Sequence, residues 1–236
     1  MENPPTLVLI DKPLGLTSFG VVARVRRILG VKKVGHAGTL DPLASGLMLV
    51  GVGQGTKALT GLVKLDKEYV AEVLIGRSTT TSDREGGVVA ERPVTEPIPK
   101  SSITAALANM QGAITLPVSA YSAIKVDGVP MYKRARAAAR VGTVAEPVRA
   151  RRMYVYETEL QNSQVLTLDT VALQLLTIRF RVGSGTYIRS LAEELGRRLG
   201  YPASLYNLRR TQVGEYRIED AVTLETLATE YGTKLF

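Results

Sequence analysis

The chain has 236 residues, 45% hydrophobic and 22% charged, with a formal net charge of +8, one histidine and no cysteine. That length suits one large domain or two small ones with a real core. The lack of cysteine excludes disulfides and cysteine-ligated metal or iron–sulfur centres, and a single histidine excludes a histidine-rich zinc site.

The first five residues, M-E-N-P-P, carry an acid and no basic run, so they read as no secretory signal. No apolar run approaches the length of a membrane span. A cytoplasmic protein without membrane contact is therefore expected. Thr6 to Ile10 reads as a short buried strand leading into D-K-P-L-G-L-T-S, a Pro/Gly turn ending in a helix cap at Thr17 or Ser18. Val21, Val25, Ile28 and Leu29 then form one apolar helix face that stops at Gly30.

Next comes V-G-H-A-G-T-L-D-P-L-A-S-G, Val34 to Gly46, with the histidine, three glycines and a carboxylate on a bend. Pro42 pushes Asp41 out of the α region, so the chain turns there. One reading is a carboxylate raised on a rigid turn, five residues after an imidazole. The other is a helix start, with Asp41 as N-cap and Pro42 at the first helical position.

Leu47 to Val52 reads as a buried strand. The following Gly51-Val-Gly53-Gln-Gly55-Thr-Lys57 fails both nucleotide-loop templates: it lacks the third glycine of a dinucleotide loop and the G-K-[S/T] ending of a P-loop. It reads as a turn with Lys57 available to a phosphate. Glu68 to Ile75 alternates, with Tyr69, Ala71, Val73 and Ile75 on one face. Gly86-Gly87 makes a turn. Ser101 or Ser102 is expected to cap a helix with Ile103, Ala106, Leu107 and Met110 inward, ending at Gly112.

From Pro117 to Pro147 the pattern breaks down into a basic, Ala-rich excursion with no clear core face. Arg151 to Glu159 and Val165 to Val182 read as strands, the latter a hairpin or bent pair. Gly183-Ser-Gly185 leads into a helix with Ile188, Leu191, Leu195 and Leu199 inward, ending at Gly200; Thr223 to Tyr231 is a terminal helix. Mixed strands and helices without regular βαβ alternation indicate an α+β fold. Arg189 falls in the first turn of its helix, where the macrodipole disfavours a cation, so it needs a specific anionic partner.

Charge is uneven. Lys133 to Arg152 holds seven basic residues and one acid, and Arg179 to Arg217 eight arginines and three acids. Asp66 to Glu96 holds seven acids and four bases. Basic blocks of this kind suit a phosphate-rich partner.

The G-H-x-G-T-L-D-P core of the Asp41 loop resembles the signature of the TruB family of pseudouridine synthases, whose aspartate is catalytic. K-P-L-G-L-T-S (Lys12 to Ser18), K-E-Y-V around Tyr69, S-G-T-Y-I-R (Ser184 to Arg189) and L-R-R (Leu208 to Arg210) resemble the family's other motifs, in order. The resemblance covers Leu9 to about Val213. It implies a pseudouridine-synthase-like fold: a mixed, largely antiparallel sheet flanked by helices, with an inserted RNA-gripping thumb at about 117–147. It implies Asp41 as the catalytic residue and His36, Tyr69, Tyr187, Arg189 and Leu208 as substrate-binding residues. Arg189 would pair with the catalytic carboxylate and Asp83 would buttress the arginine. Lys12, Lys57, Lys125, Lys133, Arg134, Arg136, Arg209 and Arg210 are candidate contacts to the RNA backbone.

Two features depart from the family pattern. P-P-x-Y-S-A-x-K is replaced by Pro117-Val-Ser-Ala-Tyr121-Ser-Ala-Ile-Lys125, and the chain stops at Phe236, which leaves no room for a C-terminal PUA domain. The expectation is a single catalytic domain over 1–236 that turns a uridine, uridine 55 in the TΨC loop of tRNA, into pseudouridine after flipping the base out. No metal or other cofactor and no obligatory protein partner are implied, and a monomer is expected. The alternatives are a non-catalytic RNA-binding or RNA-folding module on the same fold, and an N-glycosylase that releases the base.

Overall fold

The structure, a computed structural model, describes residues 5–122, 125–126, 128–141, 143 and 148–231. In chain order the strands are β1 (Leu7–Lys12), β2 (Val34–His36), β3 (Ala44–Val52), β4 (Lys67–Ile75), β5 (Arg77–Thr79), β6 (Val88–Glu91), β7 (Gly112–Val118), β8 (Lys125–Val126), β9 (Val129–Pro130), β10 (Val148–Leu168), β11 (Val171–Val182), β12 (Ala203–Val213) and β13 (Tyr216–Arg217). The helices are α1 (Ser18–Leu29), α2 (Leu59–Leu62), α3 (Lys100–Ala108), α4 (Met131–Arg140), α5 (Ile188–Leu199) and α6 (Leu224–Tyr231). This is the expected α+β class, with a largely antiparallel sheet flanked by helices. Among the described residues no helix is long and apolar enough to cross a membrane.

The chain forms two compact units. The first comprises Met1–Val70, Arg181–Ser184 and Asn207–Phe236, and the second Ala71–Phe180 and Gly185–Tyr206. In the first unit the strand order is β1-β3-β12-β4, with β2 on β3 and β13 on β12. β1 pairs antiparallel with β3 from Leu7↔Gly51 to Lys12↔Gly46, and β12 runs parallel to β3, setting Leu208 opposite Ala44 and Arg210 opposite Gly46. Every residue of β3 except Ser45 is buried, as expected of an apolar run covered on both faces. Leu47 and Leu49 join Ala37 and Val213 in a cluster covered by Leu7, Leu9, Leu59, Leu62 and Leu65.

α1 starts where Thr17 Oγ1 accepts the Gly20 N–H at 2.9 Å, and stops at Gly30 in the left-handed region. It buries Val21, Val22 and Val25, each worth about 1.5–3 kcal/mol. α6 packs on α1 and β1, and Val222 pairs with β1 through Asp11 N–H to Val222 O and Val222 N–H to Leu9 O.

In the second unit the order is β4-β11-β10-β7. Leu74, Leu173 and Leu175 are the centre of a core flanked by Leu166, Leu168, Val171 and Tyr206. α3 packs on β10 and α5, and α5 on β7.

Several boundaries differ from expectation. α3 starts earlier, because Ser102 and Ile103 donate their N–H groups to Pro99 O at 3.0 and 3.2 Å, so no serine hydroxyl caps it. It ends at Ala108, before Met110 and Gly112. β10 is one strand of 21 residues where two were expected. It turns into β11 at Asp169 and Thr170, with φ of +50° and +71°, the two positive values of a type I′ hairpin turn. The excursion has a core contact after all: Met131 and Ala135 of α4 are buried at i, i+4 spacing. Residues 123, 124, 127, 142 and 144–147 of the expected thumb lie outside the described residues, as do the side chains of Lys125 and Arg136.

Candidate active site

Asp41 sits in the first unit at a turn between β2 and β3. Ala37 N–H donates to Leu49 O at 2.9 Å, and the chain then bends at Gly38, with φ +93°. The buried Ser18 hydroxyl grips Leu40 from both sides, donating to its carbonyl at 2.9 Å and accepting its N–H at 2.8 Å. Gly15 N–H donates to Pro42 O at 2.8 Å, and Ala44 N–H closes the turn on Asp41 O at 3.0 Å. β3 begins at Ala44. Asp41 therefore caps no helix, and the helix-start reading is overturned: pairing with β1 and β12 claims the backbone that a helix would have used. The K-P-L-G-L-T-S segment holds the turn, through Gly15 and Ser18.

Three buried cations lie under this loop. Arg210, 1% exposed, donates through Nε to Leu47 O at 2.7 Å and through Nη2 to Gly38 O at 3.3 Å. Lys12, 0% exposed, donates to Leu16 O at 2.6 Å and Pro13 O at 3.0 Å. Lys67 donates to Val63 O at 2.6 Å, Leu65 O at 2.5 Å and Ser184 Oγ at 3.4 Å. Burial pushes the Lys12 ammonium down to about 8, opposed by the negative Asp41 and reinforced by Arg210. It pushes Lys67 down to about 8 too, with Arg210 reinforcing and Asp66 opposing.

Lys12 and Arg210 were expected at the RNA backbone. The structure corrects this: both are interior, and they support the loop from within. Lys67 is the residue that sequence reasoning missed. Its signal was present, since it shares the alternation phase of Tyr69, Ala71 and Val73 and is buried with them.

His36, half-buried, has its pKa lowered by burial and by Arg210, against a backbone hydrogen bond with Gly38. Its Nδ1 is buried without a hydrogen-bond partner among the described residues. Tyr69 is 8% exposed on β4. Leu208 is half-buried opposite Ala44. Arg209 forks onto Asp11 at 3.1 and 2.7 Å, and Lys57 is exposed at the end of a 3-10 turn.

Tyr187, Arg189 and Asp83 belong to the second unit. Tyr187 is half-buried directly before α5. Arg189 is buried, with Nη1 3.5 Å from Asp83 Oδ2 and 3.1 Å from Thr81 O, and Nη2 3.2 Å from Tyr121 O. Asp83 in turn accepts from the Thr81 hydroxyl and from Glu85 N–H at 3.1 Å. Ser82 stands at φ +62°, uncommon for a residue with a Cβ, and donates to Glu193 Oε1 at 2.7 Å. Arg189 and Asp83, far apart in sequence, are thus brought together. Lys133 and Arg134 are exposed on α4.

The family model described as TruB family pseudouridylate synthase (N terminal domain) matches residues 26–188, and that of the tRNA pseudouridylate synthase B C-terminal domain matches 189–234. The chain belongs to the TruB family. It is thereby an enzyme, an isomerase of the pseudouridine synthase class. It is 43% identical over 225 residues to tRNA pseudouridine synthase B of Arthrobacter sp. (strain FB24), covering 95% of this chain and 71% of that one. It is 42% identical over 221 residues to tRNA pseudouridine synthase B of Geobacillus kaustophilus (strain HTA426), covering 93% and 74%. Among solved structures, an H/ACA RNP bound to a substrate RNA containing 2'-deoxyuridine holds a chain 27% identical with a TM-score of 0.65, matched over 95% of this chain and 53% of that one. The archaeal box H/ACA sRNP Nop10-Cbf5 complex gives 28% and 0.64 over the same shares. This TruB-family chain thus spans about half the length of those solved neighbours.

Proposed function

We propose that the chain isomerises a uridine of tRNA, uridine 55 of the TΨC loop, to pseudouridine, with Asp41 as the catalytic carboxylate. The observation that carries this reading is the Asp41 turn, pinned by Ser18, Gly15 and Ala44. A side chain with so constrained a backbone is preorganised for one geometry at a reacting atom. The names of the relatives support the substrate class, and the net charge of +8 suits a polyanion.

In the reaction the bond from C1′ to N1 breaks, the uracil turns, and a bond from C1′ to C5 forms. The C5 proton leaves and N1 ends protonated, so the step is redox-neutral. Asp41 attacks the base or sugar, or takes a sugar proton. Tyr69 stacks on the flipped base and helps to remove the C5 proton. His36 fills the space the base leaves, and Tyr187 and Leu208 line the base pocket. Arg189, backed by Asp83, serves as the family's motif arginine. Lys57, Lys125, Lys133, Arg134, Arg136 and Arg209 are proposed to meet the RNA backbone.

The test is tritium release from transcribed tRNA labelled at uracil C5, comparing wild type with Asp41→Asn. Wild type is expected to release tritium with no free uracil. Asp41→Asn is expected to bind the tRNA and release none. Tight binding without turnover by wild type would instead support the non-catalytic module, and free uracil the glycosylase.

A further inference from the structure

Two tyrosines of β10 stand side by side in the open. Tyr154 and Tyr156 are 46% and 45% exposed, with ring centroids 4.7 Å apart and planes at 48°. Met153 and Val155, which alternate with them, are buried, so both rings face outward. On β7, Ala113 stands opposite Tyr154 and Thr115 opposite Arg152, both exposed. Ala113 is a small neighbour for Tyr154, and both rings keep nearly half of their surface exposed. Aromatic surface kept in water forgoes the favourable free energy of burial, which is recovered when a flat partner covers it.

The surroundings point to the chemistry of that partner. Arg152, exposed and in the same alternation phase as the two rings, lies two residues before Tyr154 and closes the block with seven bases and one acid. At the other end of the pair, Glu157 and Glu159 are both held by Arg179, at 2.5 and 2.8 Å, so their charge is offset. A second copy of the chain would bring like charge onto this patch. Nucleic acid brings the opposite charge together with flat bases.

We propose that Tyr154 and Tyr156, with Arg152, form a stacking platform for an unpaired base of the substrate RNA other than the target uridine. This rests on the reading of the chain as an RNA-modifying enzyme. The ring faces take the base and the guanidinium takes the adjoining phosphate.

The experiment compares wild type, Tyr154→Ala/Tyr156→Ala and Tyr154→Phe/Tyr156→Phe with transcribed tRNA at one salt concentration. It reads Kd by fluorescence anisotropy and KM and kcat by tritium release. The alanine pair, exposed and so tolerated by the fold, is expected to raise Kd and KM about tenfold or more, with the loss in KM rather than kcat. The phenylalanine pair is expected to stay near wild type. The inference is overturned if the alanine pair matches wild type while wild type turns over. It is equally overturned if phenylalanine loses as much as alanine, which would assign the effect to the hydroxyls. Sedimentation in which wild type self-associates and the alanine pair does not would make the patch a protein interface and overturn it as well. Wild type that neither binds nor converts tRNA would bring down the proposed function itself, a result distinct from all of these.

Discussion

Ser18 shows how a small side chain can carry the geometry of a site. The sequence offers Thr17 or Ser18 as the helix cap; Thr17 takes that place, and Ser18 is left to hold Leu40, beside the proposed catalytic carboxylate. Lys67 presents the complementary case, a charge kept inside because three oxygens receive its protons. Its lowered pKa makes stability depend on pH. Between about 8 and the ordinary 10.5, the unfolded chain binds more protons at Lys67 than the folded one does. Unfolding free energy therefore rises with pH across that window, and Lys12 contributes in the same direction. Urea titrations at pH 8, 9 and 10 should show this rise for wild type and a shallower one for Lys67→Met, which retains only the Lys12 contribution. Parallel curves would mean that Lys67 titrates as an exposed lysine does.

Among the elements, the parallel contact of β3 with β12 depends on one glycine. Gly46 sits at φ +102°, and a Cβ there would lie 2.3 Å from Arg210 O. Neither the backbone angle nor the space admits a side chain. Gly46→Ala is expected to destabilise the protein by about 2–4 kcal/mol, read as a lower denaturation midpoint at unchanged m. A variant of wild-type stability would show that β12 can move aside freely. Elements with a strong period were legible: β4 by its alternation, and α5 by Ile188, Leu191 and Leu195, buried as expected. The β10–β11 hairpin was legible as a hairpin or bent pair over Val165 to Val182, but the place of its turn was not, because Asp169 and Thr170 carry no glycine signal for their positive φ. Nor was the core contact of α4, because alanine contrasts too little with the polar residues around it.

For the molecule as a whole, the charge of +8 makes RNA affinity a function of salt. The logarithm of the binding constant should fall linearly with the logarithm of salt concentration. Replacing the exposed Lys133 and Arg134 by alanine should flatten that slope by about 1 for every phosphate that is no longer neutralised. An unchanged slope in a filter-binding series would remove both residues from the interface. The sequence by itself determined the family, the α+β class and Asp41 as the carboxylate to test, because these rest on local order: residue types at fixed spacing and the period of apolar residues. Only the tertiary structure decided that Asp41 stands on a turn and not at a helix start. The same holds for Lys12 and Arg210 supporting that turn from inside. Each of these depends on which distant segment takes up a backbone group or a charge, and spacing along the chain carries no record of that.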